Sequence, residues 1–147
     1  MDELIKLLDP GLTLEKYEIA GDIIKLYVTS EKTELICPFC NMASARVHSH
    51  YDRSFQDLPI QGKKTVVIIS NRKMFCNNPE CSHTTFAEQF DFLAHKAKKS
   101  KRLKEEIIRV SLKQSSVSAS EYLRKSVVDV KKSTICNYLK KIRDNNQ

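Results

Sequence analysis

Four of the five cysteines of this 147-residue chain fall into two tight pairs, Cys37-Pro38-Phe39-Cys40 and Cys76-Asn77-Asn78-Pro79-Glu80-Cys81. Zinc takes four thiolates at the corners of a tetrahedron, and a turn with about two to four intervening residues lets one stretch of backbone supply two corners. Two such turns close the shell and leave no open position for a substrate. Cys37, Cys40, Cys76 and Cys81 are therefore expected to hold a structural Zn2+. The 35 residues between the pairs exceed the usual ribbon gap, so competing chemistries have to be weighed.

Disulfides are the first competitor. The opening Met-Asp-Glu-Leu-Ile-Lys has neither the basic segment nor the apolar stretch of a secretory leader. No apolar run approaches the length that spans a bilayer. The expectation is a cytoplasmic chain with reduced thiols, where paired cysteines bind metal or do redox work more often than they form structural bridges. Cys37 and Cys40 do not open a helix within a βαβ pattern, which disfavours a redox dithiol. Iron–sulfur ligation stays open as a minor alternative.

Charge is distributed unevenly. Residues 94–147 carry 15 Lys/Arg against 5 Asp/Glu, whereas residues 1–93 carry 10 against 13. The positive balance of the chain thus lies in its last third, which points to a polyanion partner, nucleic acid above all, with a solvated helical surface as the bland alternative. Aromatic residues make up 7% and Trp is absent. A core so poor in large side chains gains from a metal that contributes folding free energy.

The periodicity divides the chain at about the same place. Asp2 to Leu8 reads as a short amphipathic helix stopped by Pro10-Gly11. Residues 13–19 and 23–29 alternate around Ala20-Gly21-Asp22 and read as a hairpin. Glu34-Leu35-Ile36 is extended into the first cysteine pair, 45–55 reads as a strand, and Asp57 to Gly62 as a turn. Thr65-Val66-Val67-Ile68-Ile69 is β-branched throughout and centres a strand over 64–75 that delivers Cys76 into the second pair. Strands carrying a cysteine turn near their ends would bring the distant pairs together.

Beyond residue 93 the period becomes helical. Ser100 is an expected N-cap for a helix bearing Leu103, Ile107, Ile108, Val110 and Leu112 through about Lys113. Ser115-Ser116 breaks it, and Ser118-Ala119-Ser120-Glu121 matches a capping box that would open a second helix. Ile135, Tyr138, Leu139 and Ile142 form the apolar stripe of a third. The fold class read here is α+β: a β-rich zinc-binding domain over 1–93, then a three-helix helix-turn-helix domain over 94–147.

Three helices with most of the basic charge have the layout of a helix-turn-helix reader, although the turn lacks the Gly often found there. On the last helix Ser133, Asn137 and Lys140 lie opposite the apolar stripe, flanked by Thr134 and Lys141. Asn pairs bidentately with adenine, and Lys reaches guanine or phosphate. Lys131 and Lys132 at the helix start suit phosphate contacts. An ordinary wet helix face is the competing reading. His48, His50 and His83 are weaker metal candidates, since four cysteines already suffice. Asp52-Arg53 and Asp57 suit an ion pair or turn cap better than catalysis. Cys136, at the edge of the apolar stripe, is expected to pack as a small side chain.

Laid out in order, the residues resemble the N-terminal region of bacterial insertion-sequence transposases of the ISL-three family. The resemblance is carried by Cys37-x-x-Cys40, Arg46-Val47-His48, Tyr51-Asp52-Arg53, Asp57-Leu58-Pro59-Ile60-x-Gly62, Arg72-x-x-Phe75-Cys76-x-x-Pro79-x-Cys81 and Phe86-Ala87-Glu88. It implies zinc on the four cysteines over residues 35–90, a helix-turn-helix over 94–143, and recognition of the element's terminal inverted repeats. Family members continue into a catalytic domain in which three carboxylates hold divalent metal, whereas this chain stops at Asn146-Gln147. Its last third offers Glu105, Glu106, Glu121, Asp129 and Asp144, all on or beside basic helices. The expectation is a non-enzymatic DNA-binding part of a transposase, acting on the nucleoid of a bacterial cytoplasm. Its partners would be double-stranded DNA at element ends, and a second copy of the chain or the full-length transposase. No membrane and no small-molecule substrate are expected. The rival readings are a stand-alone transcriptional regulator and a protein-interaction module.

Overall fold

A computed structural model describes residues 2–113 and 116–145. The elements in chain order are α1 (Asp2–Lys6), β1 (Leu12–Ala20), β2 (Ile23–Ser30), β3 (Leu35–Ile36), β4 (Ala43–Ser44), β5 (Val47–Ile60), β6 (Lys63–Phe75), β7 (Thr85–Ala87), α2 (Lys101–Ser111), α3 (Ser116–Ser126) and α4 (Lys132–Asn145). The architecture is α+β, with the strands and the cysteine cluster in the N-terminal part.

The β-branched run makes β6 the centre of the main sheet. Its order is β1-β2-β6-β5, with β7 also on β6. β1 and β2 form the expected antiparallel hairpin, closed at Gly21 with φ of 59°. A bulge between Leu14 and Lys16 resolves the odd spacing of the apolar residues there, because it sets Leu14, Tyr17 and Ile19 opposite Val28, Leu26 and Ile24 on one face. Ile24, Leu26 and Val28 on that face join Phe55, Val67 and Ile69 in one core, which α1 covers with Ile5 and the segment after β7 covers with Phe90, Phe92 and Leu93. Burying each such side chain contributes about 1.5–3 kcal/mol. Tyr17 and Ile19, at the outer end of the edge strand, stay exposed.

β5 and β6 pair antiparallel along most of their length, from Val47 opposite Met74 to Ile60 opposite Lys63. The turn expected over 57–62 is therefore shorter than the sequence suggested. β5 continues through Pro59 because the register slips between Asp57 and Ile60, and an irregular ladder tolerates a residue without an amide proton. Gln61 and Gly62 alone make the turn, with φ of 49° and 76°. Two consecutive positive φ values match the twist of a two-residue hairpin.

The three helices enclose a second core of Leu103, Ile107, Val110, Ala119, Leu123, Val127, Val128, Val130 and Ile135. Ser100 caps α2 as expected, its hydroxyl accepting the Leu103 amide at 3.2 Å. α3 already runs from Ser116, so the Ser118–Glu121 capping box lies inside the helix and does not open it. Ser115, assigned to the preceding break, lies outside the described residues. The connection from α3 to α4 holds itself without glycine. Val127, Val128 and Val130 are buried in it, and the Val130 carbonyl accepts from Ser120 Oγ at 3.0 Å and Arg124 Nε at 2.9 Å.

The helices are fastened to the far end of β5. The Asp57 carboxylate is buried and accepts Ser100 Oγ at 2.7 Å, Arg102 Nε at 2.9 Å and Arg102 NH2 at 2.5 Å. Leu58 packs against the helical core, and Lys64 pairs with Asp129 at 2.5 Å. The ion-pair reading of Asp57 thus describes a joint between strand and helix.

Candidate metal centre and nucleic-acid interface

Each cysteine pair sits on a turn at the same end of the β5–β6 hairpin. The first lies between β3 and β4, where the Cys37 amide donates to the Met42 carbonyl at 3.0 Å and the Asn41 amide to the Cys37 carbonyl at 2.8 Å. Asn41 takes a φ of 63°, which lets this turn close tightly. The second lies between β6 and β7, where the Cys76 amide donates to the Thr84 carbonyl at 2.9 Å and the Cys81 amide to the Asn78 carbonyl at 3.1 Å. Residues around both turns tie them together. Ser44 Oγ donates to the Phe75 carbonyl at 2.5 Å, the Phe75 amide to the Arg46 carbonyl at 2.8 Å, and Arg46 NH1 to Asn77 Oδ1 at 3.3 Å. Leu35, Met74 and Phe86 pack beneath the sulfurs.

The four sulfurs lie within 4.8 Å of one another. Cys37 Sγ and Cys81 Sγ are 4.0 Å apart, and Cys40 Sγ and Cys76 Sγ 3.5 Å. A tetrahedron with Zn–S of about 2.3 Å has sulfur–sulfur edges of about 3.8 Å, so the spacing fits one ion. It is far too long for S–S bonds of about 2.05 Å. This is also the cluster of potential metal ligands found among the described residues.

Backbone amides and crowding divide the thiols. The Met42 amide donates to Cys40 and holds its thiol down to about 7, despite some burial. The Asn78 amide acts in the same sense on Cys76. There, burial and the neighbouring Cys40, Cys37 and Cys81 sulfurs outweigh it and push the thiol up to about 12. Cys81 accepts the His83 amide at 3.5 Å, yet burial and Cys40 raise its thiol above the ordinary value. Four negative charges cannot share this space without a cation, and a zinc ion supplies that compensation. The amides of Met42, Asn78 and His83 each stand two residues beyond a cysteine, where they orient its sulfur toward the ion.

None of the histidines joins the cluster. The His83 ring stacks on Phe39, one from each turn, with centroids 3.5 Å apart and planes 9° from parallel. His48 sits edge-on to Phe75, where the ladder slips between Val47 and Ser49, and His48 and His50 are both exposed. Two further motif residues have roles that sequence reasoning missed. Arg72 holds the buried Glu88 through Nε at 3.1 Å and NH2 at 2.8 Å. Arg53 NH2 donates to the carbonyls of Ala94 and Ala97 at 3.0 and 3.2 Å. Their signal in the sequence was a charged residue beside apolar strand positions, which alone does not name a partner.

On α4 the expected contact residues divide by exposure. The Lys131 carbonyl accepts the amides of Thr134 and Ile135 at 3.0 and 3.2 Å, which places Lys131 at the helix start. Lys131, Lys132, Ser133, Asn137, Lys140 and Lys141 are exposed, Thr134 is half-buried, and Ile135 is buried against the other helices. Ser133, Asn137 and Lys140 therefore share the outward side. Cys136 is exposed next to Asn137 and does not pack into the core as expected, because the stripe through Ile135, Tyr138 and Leu139 turns it outward. No helix among the described residues is long and apolar enough to cross a membrane.

Comparison with protein families finds a match over residues 34–81 to the zinc-finger of transposase IS204/IS1001/IS1096/IS1165. The match spans both cysteine pairs and the hairpin between them, and ends before β7 and the helices. Curated proteins and solved structures give no match. Residues 34–81, which gather Cys37, Cys40, Cys76 and Cys81 about one centre, are thus similar to the zinc-finger region of ISL-three transposases.

Proposed function

We propose that the chain is a DNA-binding part of an insertion-sequence transposase that recognises the element's terminal inverted repeats in the bacterial nucleoid. In this reading residues 1–93 are the zinc-stapled scaffold and residues 94–147 a helix-turn-helix reader. The observation that carries it is that one hairpin, β5–β6, bears the transposase-type zinc turns at one end and the basic helices at the other. A closed four-thiolate shell has no position for a substrate, so the metal's role is structural. Holding the hairpin firm gives α2 and α4 a fixed base.

The reader would use α4 in the major groove. Ser133, Thr134 and Asn137 contribute base preference there, while Lys131, Lys132, Lys140 and Lys141 contribute salt-sensitive phosphate contacts. A bidentate Asn137–adenine contact is worth about 1–3 kcal/mol at one base pair. Asn137→Ala should therefore relax preference at a single position of a terminal-repeat duplex, read by binding titrations on single-base variants. Equal loss on repeat and scrambled duplexes would remove Asn137 from the reading.

A further inference from the structure

Between the 94–101 segment, the start of α2 and Tyr138 of α4 lies a hollow of about 540 Å³. Its charged lining is one-sided: Lys98, Lys99, Lys101 and Lys104 against Glu105. None of these lysines has a carboxylate within ion-pair distance among the described residues; the Lys104 ammonium lies 4.9 Å from the centre of the Tyr138 ring. Of the acids around the helix start, Asp57 is taken by Arg102 and Glu106 by Arg109, which leaves Glu105 as the acid in the lining.

Three features set this lysine run apart from a solvated tail. Lys99 is half-buried, and burial lowers its pKa with no anion to offset it. The first turn of α2 contains no acid of its own, and Lys101 and Lys104 stand at the positive pole of the helix, where the buried Asp57 carboxylate is taken up by Ser100 and Arg102. The backbone carrying the lysines is also pinned to the sheet. The Gln56 amide donates to the Lys98 carbonyl at 2.9 Å, the Ser100 amide to the Gln56 carbonyl at 2.9 Å, and the Lys101 amide to the Phe92 carbonyl at 2.8 Å. Arg53 clamps the carbonyls of Ala94 and Ala97. The backbone that presents these lysines is therefore fixed before any ligand arrives.

We infer that this hollow seats the sugar–phosphate backbone of duplex DNA beside the segment that α4 reads, with Lys98, Lys99, Lys101 and Lys104 as its phosphate contacts. The inference rests on the DNA-binding reading above and adds a second surface to it. Tyr138 lines one wall, on the flank of α4 shared by Thr134 and Lys141, so the hollow borders the reading helix at its side. Contacts to phosphate add affinity equally on all sequences, and each one lost makes the dependence of log K on log salt shallower by about 0.9.

The test is a salt titration of the full chain on a terminal-repeat duplex and a scrambled duplex, comparing wild type with the triple variant Lys98→Gln, Lys101→Gln, Lys104→Gln. The slope is expected to fall by about 2–3 on both duplexes, with their ratio of affinities unchanged. The double variant Lys98→Gln, Lys101→Gln, both at exposed positions, should lose about 2 and guards against a folding defect from Lys104. Unchanged affinity and slope would overturn the seat while leaving the α4 reading intact. So would an acidic peptide, polyglutamate, competing away no duplex yet losing its own binding in the variants. Lysine-dependent slopes on both duplexes with no preference between them would sink the α4 reading and keep the seat. Absence of wild-type duplex binding at low salt would remove both.

Discussion

A proton on one sulfur illustrates how closely the metal and the chain depend on each other. Cys76, pushed up to about 12, is protonated at neutral pH without metal, and Cys81 is raised in the same direction. Zinc binds thiolates, so it must displace these protons. At least two protons should therefore leave per zinc bound near neutral pH, and apparent affinity should fall as pH is lowered. Calorimetric zinc titrations in two buffers of different ionisation enthalpy measure the release directly. Proton release below one per ion would show that Cys76 and Cys81 are already ionised before zinc arrives. At the same scale, the four ligands were legible from spacing alone, because a tight turn leaves a short-range signature. The amides of Met42, Asn78 and His83 were not, since every residue but proline has one and only the folded turn says where it aims.

Among the elements, strand and helix types were read correctly wherever periodicity was strong, as in β6 and along the stripe of α4. The misreadings fall where a tertiary contact overrides a local cue. Pro59 signalled a turn, but a slipped register let β5 carry it. The Ser118–Glu121 pattern signalled a helix start, but α3 begins earlier and uses Ser120 to fix the Val130 carbonyl instead. Asp57 shows the same limit, because its partners lie more than 40 residues away. The joint it makes has an asymmetric cost. Arg102→Ala would leave a buried carboxylate held by Ser100 alone among its side-chain partners in the described residues, and should cost near the low end of about 3–5 kcal/mol, since the Arg102 side chain is itself 36% exposed. Replacing both, with Asp57→Leu and Arg102→Met, should cost less than the single change. Denaturant unfolding of the two variants tests this, and a double variant as damaged as the sum of its parts would argue that the two residues are not coupled.

For the molecule as a whole, three cores divide the labour. One lies on the main sheet, one among the helices, and a small one under the cysteines. The last has Leu35, Met74 and Phe86 with the sulfurs and little else, so it depends on the metal most. Cys76→Ser should abolish stoichiometric zinc and destabilise the zinc end of the hairpin by several kcal/mol or more. Hydrogen exchange should then rise first at β3, β4 and β7, while Leu103, Ile107 and Ile135 in the helical core keep their protection. Uniform loss of protection would mean that the three cores melt as one.

From Val47 beside the zinc turns to Asp57 at the helical joint, β5 takes ten residue steps, roughly 33 Å at the usual strand rise. That strand and its mate act as a measuring rod whose length can change only in whole steps. A matched pair of residues added to both strands would move the two ends apart by about 7 Å and leave every side chain on its own face. A single added residue would turn half the rod inside out, so the distance between staple and helices is quantised by the pleat.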